Sequence, residues 1–85
     1  MEIEYTDLAK EHFAFWLKSG NKQIQNKISE LLYDISNNPF SGIGKPEQLR
    51  FHLSGKWSRR INKEHRIIYE VKNEIVYIHS LKGHY

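Results

Sequence analysis

The chain has 85 residues, of which 39% are apolar and 13% aromatic, so it makes one small domain, 1–85, too rich in core formers for a disordered polymer. No apolar run nears the roughly 20 residues of a membrane span, Met1-Glu2-Ile3-Glu4 lacks the order of a signal peptide, and zero cysteines exclude a disulfide framework and a thiolate metal site; a soluble, cytoplasmic domain is expected. The net charge of +3 is unevenly spread, with four basic and six acidic side chains in residues 1–44 against nine basic and four acidic in residues 45–85.

Ile3 and Tyr5 alternate with Glu2, Glu4 and Thr6, which predicts a short strand. Thr6 or Asp7 then caps a helix whose apolar stripe is Ala9, Phe13, Trp16 and Leu17, ended by Ser19-Gly20. Asn21 restarts the chain, and Ile24, Ile28, Leu31, Leu32 and Ile35 give the clearest helical stripe, stopped at Asn37-Asn38-Pro39. Residues 39–48 read as a loop rich in Gly and Pro. The period then changes to two. Leu49, Phe51 and Leu53 predict a strand, Ser54-Gly55 a turn, and Trp57 to Ile61 the next strand. Arg66 to Val71 follows, then a turn at Lys72-Asn73-Glu74 and a last strand from Ile75 to Leu81. The layout is α+β: an N-terminal strand and a helical hairpin packed on one face of an antiparallel sheet.

Strand parity places Ile67, Tyr69 and Val71 toward the helices and sends Arg50, His52 and Arg66 to the opposite face. Arg60 joins them if Trp57 and Ile61 face inward, a choice that points Arg59 inward as well. Phe51, Trp57 and Tyr69 are expected to serve packing rather than base stacking. One apolar and one Arg/His-bearing face suits an RNA platform; a merely solvated sheet has the same pattern. The basic half predicts a polyanion or an acidic protein segment as partner, with solubilising Lys and Arg as the plain alternative.

Five histidines, His12, His52, His65, His79 and His84, show no metal-ligand spacing, so neither metal nor other cofactor is expected. Gly42-Ile43-Gly44-Lys45 lacks the spacing and the Ser or Thr of a phosphate loop and runs into Pro46 instead of a helix. Glu47 amid basic residues suits a general base beside a bound polyanion, and His84 suits a general acid near neutral pH. With an Arg to stabilise phosphoryl oxygens, these types meet the needs of metal-free RNA cleavage. A solvated loop Glu and a frayed terminal His are the plain alternatives.

Three ordered motifs carry a more specific signal. They are Asn38-Pro39-Phe40-Ser41-Gly42-Ile43-Gly44-Lys45-Pro46-Glu47-Gln48-Leu49, Leu53-Ser54-Gly55-Lys56-Trp57-Ser58-Arg59-Arg60-Ile61, and Glu64-His65-Arg66-Ile67-Ile68-Tyr69, with His84-Tyr85 at the end. Together they resemble the YoeB/Txe toxins of the RelE superfamily, found in type II toxin–antitoxin systems, over essentially the whole chain. The resemblance implies a ribosome-dependent mRNA endoribonuclease that cuts in the A site and arrests translation. It assigns the general base to Glu47, phosphate stabilisation to Arg66, the general acid to His84 and a base contact to Tyr85. Arg50 and Arg60 fall on phosphate-contacting positions, and Lys45 adds attraction to RNA. Members often have an aromatic residue where this chain has Gly83. The implied partners are the ribosome, mRNA and a YefM-like antitoxin with an acidic disordered C-terminal segment, leaving monomer or homodimer open. The competing reading is a catalytically inactive RNA- or antitoxin-binding module of the same fold.

Overall fold

The computed structural model describes residues 1–83. Strand β1 (Glu2–Tyr5) leads into helices α1 (Asp7–Ser19) and α2 (Lys22–Asn37), and four strands follow: β2 (Glu47–Gln48), β3 (Trp57–Arg60), β4 (Arg66–Lys72) and β5 (Ile75–Ser80). Of the two cap candidates for the first helix Thr6 is the one used, and Asn21 caps the second. Thr6 Oγ1 accepts the Ala9 N–H at 3.2 Å, and Asn21 Oδ1 accepts the Ile24 N–H at 3.1 Å, each satisfying an amide that the first turn leaves unpaired. Asn73 and Glu74 both adopt positive φ, the two-residue loop whose twist suits the β4–β5 hairpin.

The sheet runs β1-β5-β4-β3-β2. Strands β2 to β5 form the expected antiparallel meander, but β1 pairs with β5 in parallel, Ile3 opposite Val76 and Tyr5 opposite Ile78. The sheet is therefore mixed. Alternation in residues 2–6 marks a strand but carries no direction; direction follows from where the helical hairpin returns the chain.

Ile24, Ile28, Leu31 and Ile35 of α2 and Ala9 and Trp16 of α1 are buried against Ile67, Tyr69, Val76 and Ile78 of the sheet. Leu17, expected in the α1 stripe, is 68% exposed. At about 100° per residue it lies roughly 80° around the helix from Ala9, beyond the face that a single short helix can bury.

One further reading changes. Residues 49–53 are not a strand: Phe51–Leu53 form a 3₁₀ turn, and the β2–β3 ladder holds only Glu47 opposite Ser58 and Gln48 opposite Trp57. Leu49 N–H then bonds to the Lys56 carbonyl, and the chain between them closes on itself through Leu53 N–H to Arg50 O and Ser54 N–H to Phe51 O. These local bonds satisfy the backbone without a ladder, so the alternation of Leu49, Phe51 and Leu53 has no strand behind it. Phe51 is consequently 88% exposed, not packed, and has a φ of 58°. Arg50 and His52 are exposed on this turn rather than aligned by strand parity.

The β4–β5 pairing is interrupted at His79. Ile68 pairs with Ser80 and Tyr69 with Ile78, so His79 is an extra residue in β5. Alternation with the buried Val76 and Ile78 puts His79 on the outer face, where its Nε2 lies 2.7 Å from Glu70 Oε1. Burial works against the Glu70 carboxylate, yet the bond to His79 and the charges of Lys72 and Lys56 hold its pKa below the ordinary value.

Candidate active site

The loop that leads to Glu47 is built around Arg59. Its inward parity follows from Trp57 and Ile61, and its side chain is 0% exposed. Arg59 Nη1 donates to Asp34 Oδ2 at 2.6 Å and to the Ile43 carbonyl at 2.9 Å. Nη2 donates to the carbonyls of Asn38 and Ser41, and Nε to the Tyr69 hydroxyl at 3.1 Å. All five guanidinium donors thus have acceptors, which is what allows a cation to be buried here. Tyr69 relays the arrangement by donating to the Pro39 carbonyl at 2.6 Å. The bond from Arg59 is the main reason that the Asp34 carboxyl sits below the usual carboxylate range, with the Ile43 N–H contributing and burial opposing.

Gly44 completes the seat. With φ at 77°, a Cβ there would meet Leu31 Cδ2 at 2.7 Å, and its carbonyl accepts the Arg60 N–H at 2.7 Å. Only glycine lets the loop approach α2 and β3 this closely. Lys45 follows with a φ of 52°, and Glu47 enters β2 three residues beyond Gly44.

The register brings the predicted residues of β2 to β4 onto one face. Glu47 is opposite Ser58, Ser58 is opposite Ile68, and Arg60 is opposite Arg66. Directly paired residues share a face, so Glu47, Arg60 and Arg66 all project from the side away from the helices. Two strand spacings and a two-residue offset separate the Cα atoms of Glu47 and Arg66 by roughly 12 Å, enough for a ribose-phosphate unit between the side chains. Arg66 Nη1 is steadied by the carbonyls of Asn62 at 2.8 Å and His65 at 3.2 Å. Among the described residues its Nε and Nη2 have no hydrogen-bond partner, so these donors can serve a ligand anion. Two arginines side by side repel unless an anion lies between them.

Glu47, Arg50 and Phe51 also line a cleft of about 360 Å³ that runs along residues 47–53. Lys45 is exposed beside it. His84 and Tyr85, the expected acid and base-contact residues, lie outside the described residues.

The segment that precedes them is held in an unusual way. The β4–β5 ladder reaches Ser80, and side chains take over at Leu81. Trp16 Nε1–H donates to the Leu81 carbonyl at 2.9 Å, and His12 Nδ1 accepts the Leu81 N–H at 3.0 Å. His65 Nδ1 accepts the Gly83 N–H at 2.8 Å, and the Gly83 carbonyl accepts the Arg66 N–H at 2.9 Å. The His65 ring packs edge-on against Trp16, with centroids 4.8 Å apart. Gly83 has a φ of 75°, a left-handed conformation that glycine adopts without Cβ strain. The chain therefore leaves its last described position beside Arg66.

Sequence reading missed Arg59 as an organising residue and His12, Trp16 and His65 as holders of the terminal segment. The first had a signal, the inward parity of a lone Arg between Trp57 and Ile61. His12 and Trp16 are four apart on one helix face, but nothing in the spacing indicates a contact with residue 81. Among the described residues, no three His, Asp or Glu side chains converge as metal ligands would.

The model of the YoeB-like toxin of bacterial type II toxin-antitoxin systems matches residues 5–85. A Toxin YoeB of Synechocystis is 42% identical over all 85 residues, covering 98% of that protein. A YoeB/ParE toxin structure from Agrobacterium tumefaciens superimposes with a TM-score of 0.93 at 32% identity, covering both chains fully. A Staphylococcus aureus YoeB superimposes with a TM-score of 0.88, covering 100% of this chain and 98% of the other, at 42% identity in its complex with YefM and 41% as a dimer.

Proposed function

This chain belongs to the YoeB-like toxins of bacterial type II toxin–antitoxin systems, and from that premise we propose that it is a ribosome-dependent, metal-independent mRNA endoribonuclease acting as a single domain over residues 1–85. The observation that carries the proposal is the shared open face of Glu47, Arg60 and Arg66, a carboxylate and two guanidinium groups at the spacing of a ribose-phosphate.

In the proposed reaction Glu47 removes the proton from a ribose 2′-OH. The oxygen attacks the adjacent phosphorus, and the bond to the 5′ oxygen breaks as His84 protonates the leaving group. Arg66 neutralises charge that builds on the equatorial phosphoryl oxygens. The products are a 2′,3′-cyclic phosphate and a free 5′-OH, so no water is consumed in this step. Arg60, Arg50 and Lys45 attract the backbone, a contribution that weakens with salt. Tyr85 contacts a substrate base. The ribosome supplies the in-line geometry by presenting mRNA in the A site.

The proposed protein partner is a YefM-like antitoxin whose acidic C-terminal segment orders against the basic face. A homodimer is a further proposed assembly, and the Staphylococcus aureus YoeB structures, one with YefM and one a dimer, support both partners.

The test is translation of a defined mRNA in vitro, with cleavage mapped by primer extension for the wild type, Glu47→Gln and His84→Gln, with and without ribosomes. A ribosome-dependent cut lost by about a hundredfold or more in each variant is expected for general acid–base catalysis. Intact mRNA with all three proteins would leave a binding module of the same fold.

A further inference from the structure

After Ser80 the terminal segment leaves its ladder partner, and its amides and carbonyls need other groups. The Arg66 N–H at the start of β4 still reaches the Gly83 carbonyl, and the remaining groups come from two distant places, α1 and the β3–β4 turn. The bond into Nδ1 of His12 starts at the Leu81 N–H, and the bond into Nδ1 of His65 starts at the Gly83 N–H. A backbone N–H can only donate, so both rings must offer a lone pair at Nδ1 and carry their single proton on Nε2. The tautomer is therefore set by the backbone. Trp16 holds the Leu81 carbonyl between them, and Lys82 Nζ lies 4.5 Å from the centre of the Phe15 ring.

Asn62 Oδ1 accepts the N–H groups of both Glu64 and His65 at 2.8 Å, which fixes the turn that presents the His65 ring. The same turn steadies Arg66 Nη1. One short segment thus orients the guanidinium and holds the residue that precedes His84.

We propose that His12 and His65 are positioning residues, whose neutral Nδ1 atoms hold Leu81 and Gly83, the stretch of chain that carries the proposed acid His84, and that cleavage depends on this hold. The proposal rests on the nuclease reading above for its consequence in cleavage, but the hold itself is measurable without it. Asn places its side-chain oxygen close to where Nδ1 lies, whereas Leu keeps bulk and removes the acceptor. The two substitutions therefore separate the hydrogen bond from packing.

The experiment compares full-length wild type with His12→Asn, His12→Leu, His65→Asn and His65→Leu. It reads amide exchange protection at Leu81 and Gly83, urea midpoints, and single-turnover cleavage on ribosomes at varied toxin concentration. Each Leu variant is expected to lose about tenfold in protection at its own amide, the size of one hydrogen bond. Its maximal cleavage rate falls by about the same factor, while the toxin concentration for half-maximal rate stays within about twofold. The Asn variants retain most of both. Unchanged protection in the Leu variants, or equal losses with Asn and Leu, would overturn the proposal in favour of plain packing. So would a loss of protection with unaltered cleavage. If a Leu variant fails to fold, the Asn variant still decides: with the wild-type midpoint, lost protection overturns the proposal and retained protection supports it. No cleavage by the wild type would overturn the nuclease reading, and the exchange data would still judge the hold.

Discussion

Residues 38–44 wrap a buried cation, whereas residues 81–83 hang from neutral rings, and these two segments lead to the proposed base and the proposed acid. Arg59 gathers Asp34, Tyr69 and three loop carbonyls around one guanidinium that stays charged at any physiological pH. His12, Trp16 and His65 hold their segment with three side-chain bonds, beside the backbone bond from the Arg66 N–H to the Gly83 carbonyl, and the two bonds into Nδ1 need an imidazole lone pair. The loop is thus tied into the core by a permanent charge. The terminal segment is tied chiefly by uncharged side chains, with His12 and His65 accepting from its amides.

The comparison breaks most directly at Arg59. Arg59→Met removes five donors and leaves the Asp34 carboxylate and three carbonyls without their partner. A loss of about 3–5 kcal/mol in urea denaturation is expected, as for a buried pair deprived of one member. A loss below about 1 kcal/mol would mean that the loop does not depend on the guanidinium. Gly44→Ala probes the same side more gently. Its Cβ would press on Leu31 Cδ2 in a left-handed conformation, and about 1–3 kcal/mol is expected from the same melts. An unchanged midpoint would show that the loop can move away from α2.

On the other side, Trp16→Phe keeps an aromatic ring in the core and removes only the donor to Leu81. About 1–2 kcal/mol is expected, together with faster exchange at Leu81 and Gly83 but not at Ile43. Equal acceleration at Ile43 would mean that the two segments open as one unit, and the contrast drawn here would fail.

Acidification separates the two regions by pH. The His12 pKa is lowered, chiefly by burial and then by Lys82, with Glu11 opposing. A lowered folded value means that the stabilisation is complete above the unfolded value of about 6.5 and is lost as pH falls through the folded one. Asp34 is also lowered, by Arg59, so its contribution is complete above the ordinary carboxylate value of about 4 and is lost only in stronger acid. Exchange protection at Leu81, corrected for intrinsic rates, should therefore fall below about pH 6.5 while that at Ile43 persists to about pH 4. Simultaneous loss at both amides would contradict the assignment of separate titrating groups.

Part of the candidate site's layout was legible because it rests on local pattern. Parity on β4 put Arg66 on the open face and Ile67 and Tyr69 in the core, and the caps at Thr6 and Asn21 follow from side-chain chemistry within one turn. Phe51 shows where pattern fails. Its alternation with Leu49 and Leu53 has period two, but the turn bonds of residues 50–56 hold it 88% exposed beside Glu47. An apolar residue in the right phase is not evidence of a strand unless a partner strand is present to pair with it. Leu17 makes the same point for a helix, since phase alone does not say how wide a face the neighbouring elements cover.

By itself the sequence determined the α+β class, the start of the first helix at Thr6 or Asp7, the basic C-terminal half and the outward face of Arg66, because propensity, periodicity and charge act over a few residues. Tertiary structure alone decided that β1 runs parallel to β5, that Arg59 binds the loop before Glu47, and that α1 holds the backbone of Leu81. These contacts join residues 25 to 73 positions apart. They arise because buried backbone and charged groups must find partners wherever the packed chain provides them, and no local spacing records which partner that will be.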